Sequence, residues 1–315
     1  MKKVLLIGEA MALFAAEESG PLKAARRYRR LLSGAEVNVA IGLRRLGAAC
    51  AYVTRLGADP LGQAIGDRLA EEGIDTSFVS FDEEYPTGIQ LKGKTEKGDP
   101  EISYYRKGSA ASHMSPAQID AIDFDEIGRI HVTGIPAALS SGCRQAIFAL
   151  VERARELSIP TTFDPNLRPA LWPSRQEMIR VINLLATRCD VVLPGLAEGQ
   201  LLSECASAEG IANFYLSSGC KAVVIKEGPS GAYAASERGG SRIRGYRAPQ
   251  VVDTVGAGDG FAVGLISALL EGLELEDAVA RGNAIGAMQV SCLGDNEGLP
   301  DRRALDAFMR CAARV

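Results

Sequence analysis

The sequence predicts an α/β body carrying a small β-sheet lid, and three of its features do so. Short apolar runs alternate with segments of helical spacing through most of the 315 residues. Between about Pro86 and Gly108 that alternation gives way to period-two patterning. At Gly256–Gly258 a run of small residues leads straight into a long apolar helix.

Residues 4–7, closed by Gly8, have the pattern of a buried strand that ends at a ligand-facing edge. Residues 38–46 (NVAIGLRRL) carry small and apolar side chains at helical spacing until Gly47 stops them. A strand at 51–55, a helix at 60–72 with Gly73 beyond its end, and a strand at 78–81 come next. Strands at 129–133, 161–163 and 191–193 then alternate with helices at 141–157 and 174–185. Such repetition makes crossover units on a mostly parallel sheet. IQLKGKTEKGDPEISYYRKG, residues 89–108, instead reads as an antiparallel ribbon about a GDP turn. With the excursion over 9–32 it is expected to form the lid, about 9–33 and 86–108, of a single domain spanning 1–315. The later half supplies strands at 222–226 and 232–235 around the turn EGPSG, a hairpin at Gly239 and Gly240, and helices at 261–270 and 275–289.

Composition excludes several function classes. A formal charge of -4 from 35 basic and 39 acidic residues leaves no cationic field for nucleic acid. The one basic cluster, KAARRYRR at 23–30, reads as a phosphate patch or equally as a solvated face. Seven scattered cysteines without a CxxC pair suit a reducing compartment. The two histidines, His113 and His131, cannot anchor a zinc centre alone. MKKVLLIGEAM reads as a first strand, and no apolar run reaches the ~18 residues of a membrane span, so a cytoplasmic protein without membrane partners is expected.

The chemistry concentrates in DTVGAGDGF, residues 253–261. Small residues at a helix start expose backbone N–H groups to an anion, favoured further by the helix dipole. A carboxylate there, Asp259, makes sense as the base that takes a proton from an attacking hydroxyl while the N–H groups of Gly256, Ala257 and Gly258 neutralise phosphoryl charge. It reads alternatively as a helix cap. Neither GxxxxGK[ST] nor GxGxxG is present, which argues against P-loop and dinucleotide sites. Gly34 and Asn38 form a second candidate, suited to vicinal hydroxyls, with capping as the alternative for Asn38. Arg106, Arg168 and Lys226 are the cations that could meet negative substrates, and Arg168 could instead pair with Asp164.

Over essentially its whole length the chain resembles the ribokinase-like (PfkB) carbohydrate kinases: DTVGAGDGF resembles their C-terminal signature and GAEVNVAIGLRRLG their N-terminal one. The resemblance implies a Rossmann-type three-layer α/β/α domain with a β lid, ATP with Mg2+ as donor, a monovalent cation such as K+ as a further candidate, and a homodimer joined through the lid. It implies Gly34, Asn38, Gln90, Tyr104, Arg106, Arg168 and Asp295 facing the substrate; Lys226, Gly228, Gly231, Gly258 and Asn283 at the nucleotide; and Glu198 acting on the metal through water. YYRKGSAAS, DPNLRPALW and GDNEGLP point within the family to a sugar acid, 2-keto-3-deoxygluconate, as acceptor. A neutral ketose or pentose is the alternative, and a non-catalytic sugar or nucleotide sensor a remoter one. Gly195 stands where the family has Asn, Ser33 and Gly260 replace a common Gly and Ala, and Gln90 takes the place of a substrate-facing Tyr.

Overall fold

The computed structural model describes residues 2–95 and 100–315. Third from one edge of a nine-stranded sheet lies β1 (Lys3–Ile7). Val4 and Leu6 face one core while Leu5 and Ile7 face the other, as a strand covered on both sides requires. To one side lie β4 (Cys50–Gly57) and β5 (Val79–Asp82). To the other lie β8 (Ile127–Thr133), β9 (Thr161–Asp164), β10 (Val191–Val192) and β11 (Ala222–Lys226), every neighbouring pair parallel. β12 (Gly231–Ser236) and β13 (Gly239–Arg244) finish that edge antiparallel.

The helices α1 (Ala35–Arg45), α2 (Pro60–Glu71), α9 (Ala257–Leu270), α10 (Leu275–Gln289) and α11 (Arg302–Cys311) bury Val39, Ile65, Val263, Ile285 and Leu305 with Val4 and Leu6. On the opposite face α5 (Ser141–Glu156), α6 (Arg175–Ala186) and α8 (Ala208–Ser217) bury Ile147, Ile182 and Ile211 with Leu5 and Ile7. The result is the expected three-layer arrangement; α3 (Ala117–Asp120), α4 (Ile135–Leu139) and α7 (Leu196–Ser203) are short connectors. Local sequence fixes the starts: Asp59 accepts from Leu61 and Gly62 ahead of α2, where Pro60 supplies the preset φ, and Ser140 and Ser174 cap α5 and α6. None of the described helices is long and apolar enough to cross a membrane.

The lid is a four-stranded sheet in the order β3 (Tyr28–Ser33), β2 (Met11–Ser19), β6 (Ile89–Lys94), β7 (Ile102–Tyr105). β6 and β7 are antiparallel with Gln90 opposite Tyr104, but β2 and β6 run parallel, so the sheet is mixed. Gly98 and Asp99 of the GDP turn lie outside the described residues.

Two helix starts differ from the sequence reading. α1 begins at Ala35 rather than Asn38, and α9 at Ala257 rather than Phe261. In both a glycine with positive φ forms the N-cap, Gly34 at 144° and Gly256 at 81°. Small residues that look like loop in sequence therefore make up the first turn of α9. A Cβ on Gly34 would run into the Glu9 carbonyl, and one on Gly256 into the Asp295 carbonyl.

Candidate active site

The carboxyl ends of the parallel strands and the inner face of the lid enclose a cleft of about 420 Å³. Ligands of open α/β sheets bind at such strand ends. β9 delivers Asp164 and then Arg168, the segment after β10 delivers Glu198, and β11 ends on Lys226. From the lid come Gln90, Tyr104 and Arg106, while α1 contributes Gly34 and Asn38. Gly256, Gly258, Asp259 and Asp295 complete the lining among the expected residues. Ala257, Gly228, Gly231 and Asn283 do not line this cleft. Gly228 and Gly231 form the turn between β11 and β12, and the Asn283 amide donates to the Ile243 and Arg244 carbonyls at 3.1 and 3.3 Å.

Asp259 sits in the first turn of α9, whose N-cap is Gly256 without any side-chain cap, so it is not the helix cap. Its Oδ2 accepts from Asn38 Nδ2 at 2.8 Å. Asn38 is not a cap either: it lies within α1, and its Oδ1 accepts from Asn296 Nδ2 at 2.9 Å. That chain fixes the rotamer of Asn38 and with it the orientation of Asp259. Burial pushes the Asp259 carboxyl up to about 7, opposed by the Asn38 hydrogen bond and reinforced by the negative charge of Asp164. A carboxylate with that affinity can exchange protons near neutral pH. The first N–H groups of a helix have no intrahelical acceptor, so the α9 start offers donors to an anion beside it.

The four cations behave differently. Lys226 pairs with Asp164 at 2.5 Å; burial opposes its charge, yet Asp164 and Glu198 hold its pKa above the usual lysine range. The side chain of Gly258 would begin 3.7 Å from its Nζ, leaving that ammonium open towards α9. Arg106 is buried and its Nε donates to Glu9 at 2.6 Å, with Ser109 Oγ on the other Glu9 oxygen at 2.5 Å. Arg168 donates to the Leu167 carbonyl at 2.9 Å, and among the described residues it has no carboxylate partner. Asp164 is taken by Lys226 instead. Lys92, unremarked in the sequence, is fully buried between Asp253 and Asp295, 2.8 Å from the latter.

Glu198 accepts from the Leu167 N–H at 2.7 Å and the Gly195 N–H at 2.8 Å, one on each oxygen. Among the described residues no group of three or more acidic, His or Cys side chains is arranged to hold a metal ion. The Glu198 carboxylate still has a lone pair free on each oxygen, which fits contact with the water of a nucleotide-borne cation better than direct ligation.

Several of these residues escaped the sequence. Glu9 and Arg106 are 97 positions apart, beyond any local pattern. Lys92 had a signal: with period two it shares a strand face with Gln90. Asp164 stands directly after the predicted strand at 161–163, where it is a candidate partner for Arg168.

Comparison with known proteins agrees with this fold. The sequence matches the pfkB family carbohydrate kinase over residues 1–302. It is 46% identical over 309 residues to the 2-dehydro-3-deoxygluconokinase of Bacillus subtilis (strain 168), covering 98% of this chain and 95% of that one. The crystal structure of a PfkB protein from Polaromonas sp. JS666 superposes with a TM-score of 0.89 at 44% identity, covering 98% and 100% of the two chains. A putative ribokinase II from E. coli, solved in complex with ATP and Mg+2, gives 0.90 at 25% identity, covering 98% and 99%. Signature, fold and family match coincide over the same residues, and the chain belongs to the pfkB family of carbohydrate kinases.

Proposed function

We propose that this kinase transfers the γ-phosphoryl group of ATP to the 6-hydroxyl of 2-keto-3-deoxygluconate, with Asp259 as general base. The observation that carries the reading is a carboxylate with a pKa of about 7 in the first turn of α9, in the same cleft as Arg168. A hydroxyl beside Asp259 gives its proton to the free Oδ1 while its oxygen bonds to the γ-phosphorus and the bond from that phosphorus to the bridging oxygen breaks. The α9 N–H groups and the Lys226 ammonium receive the charge that develops on the phosphoryl oxygens. Mg2+ arriving with the nucleotide would neutralise phosphate charge, with Glu198 ordering its water. Asn283 would act on the nucleotide pocket indirectly, by steadying β13.

The acid substrate is supported by Arg168, whose guanidinium has donors to spare and no acidic partner, and by the similarity to a 2-dehydro-3-deoxygluconokinase. A neutral ketose or pentose is the second reading, favoured by the Arg106–Glu9 pair, which removes one of two expected carboxylate contacts. We further infer a cytoplasmic homodimer joined through the lid, where Tyr104 and Tyr105 are 44% and 63% exposed. ADP release measured with ATP, Mg2+ and K+ against a panel of sugar acids and neutral sugars tests the substrate. Turnover highest on 2-keto-3-deoxygluconate is expected; preference for fructose or ribose would overturn the acid assignment. Sedimentation as a concentration-independent monomer would overturn the dimer.

A further inference from the structure

We propose that Lys92 is a positioning residue for phosphoryl transfer: its ammonium clamps the turn that opens α9 onto the lid, so lid seating and the geometry of the helix N-terminus are set together. The inference rests on reading Asp259 and the α9 start as the transfer site. Lys92 belongs to β6 of the lid, yet its side chain is 0% exposed and both carboxylates it meets belong to the body. Asp253 is the residue from which the α9 turn departs. Its Oδ1 accepts from Val255 N at 3.1 Å, and its backbone N–H is 3.2 Å from the Val290 carbonyl. Asp295 holds the turn from the other side, its carbonyl packed against Gly256 where no side chain would fit.

A further lid residue, Ser33, reaches the same carboxylate and is itself backed by Gln90. Ser33 Oγ, at the end of β3, lies 2.5 Å from Asp295 Oδ2 and 2.8 Å from Gln90 Oε1 on β6. One ammonium therefore connects the lid to both segments that shape the Gly256 N-cap. Without it, two buried carboxylates face each other uncompensated and repel, and the turn between them is free to open. Buried ion pairs often add little net stability compared with apolar packing, so the consequence of this one lies in the geometry it enforces. Misplacement of a reacting group by about 1 Å can cost on the order of 10²-fold in rate.

The test is Lys92→Met, checked for a native circular dichroism spectrum and assayed with saturating ATP and sugar. We expect kcat to fall about 10²-fold, with the sugar KM changed far less. Ammonium or potassium chloride should restore about tenfold of that loss, because a small cation can re-enter between the carboxylates, whereas tetramethylammonium chloride at equal ionic strength should not. Native kcat, or a loss that all three salts leave alike, overturns the proposal. Should Lys92→Met fail to fold, Asp253→Asn keeps an oxygen for Val255 N–H but removes the charge facing Lys92. A kcat loss without a matching KM change then supports the proposal, and unchanged kcat or an effect confined to KM overturns it. Asp259→Asn in parallel separates the two readings, since full activity there would remove the transfer site itself whatever Lys92 does.

Discussion

Asp259→Asn isolates the group on which the mechanism turns. The amide keeps the shape of the carboxylate and can still accept from Asn38 through its oxygen, so the start of α9 should be undisturbed. It cannot take the hydroxyl proton. General-base contributions of this kind predict a loss of about 10²- to 10⁴-fold in kcat with ATP binding largely kept. The wild type adds a pH signature. Its base form requires a deprotonated Asp259, so kcat/KM should fall as pH drops below about 7, and the variant should lack that limb. Stability should move the opposite way. The folded carboxyl holds its proton up to about 7 while the unfolded one releases it near 4, so the wild type loses stability as pH rises between those values. The Asn variant lacks that loss and should unfold at higher urea than wild type at pH 8, with the gap closing towards pH 4. Coupled-assay rates and urea midpoints across pH 4–8.5 measure both. A variant with near-native kcat, or one that keeps the limb near 7, would refute the assignment.

Arg168→Ala should narrow the preference for a sugar acid over its alcohol analogue by about 10- to 150-fold, from a charge-assisted contact of about 1.5–3 kcal/mol; equal kcat/KM losses on both substrates would defeat the carboxylate role. Glu9→Gln leaves the buried Arg106 guanidinium without its counter-charge and should destabilise the fold by about 3–5 kcal/mol in urea unfolding, so a change under about 1 kcal/mol would show that the pair matters little. Gly256→Ala forces a side chain into a positive-φ position against the Asp295 carbonyl and should cost at least ~1–2 kcal/mol of stability together with activity; native behaviour in both would mean that the turn yields easily.

The parallel body was legible because each buried strand is a short apolar run closed at a turn, and because Asp59, Ser140 and Ser174 mark the helix starts. The start of α9 was not. Gly256, Gly258 and Gly260 suggest loop by propensity, and packing of Val263 and Ile266 beneath the sheet overrides that preference. Within the candidate site, DTVGAGDGF disclosed the segment proposed for phosphoryl transfer, but not that Asn38 would bridge Asp259 to Asn296, since that contact joins three distant parts of the chain. Lys92 was hidden for another reason. A lysine in an alternating strand reads as its solvent face, and only two body carboxylates at matching height make burial tolerable.

The distribution of charge bears on how a substrate would lie. Among the described residues Lys226 pairs with Asp164, Lys92 with Asp253 and Asp295, and Arg106 with Glu9, so of these and Arg168 only Arg168 lacks an acidic partner. What still attracts an anion is the Arg168 guanidinium and, as one site, the N-terminus of α9 with the Lys226 ammonium that is open towards it. Asp259 belongs to that N-terminus and repels any anion that approaches too closely. A neutral sugar has no group that distinguishes the two attractive sites, whereas a sugar acid brought near the nucleotide has one end for each. Its carboxylate goes to Arg168, because phosphate takes the helix N-terminus, and the hydroxyl at its far end is then the group left to meet Asp259. On this reading Arg168 selects which hydroxyl reacts as well as which sugar binds. The alcohol analogue should therefore lose kcat as well as affinity, and a pure KM effect with one product regiochemistry would argue that the lid, not Arg168, sets the pose.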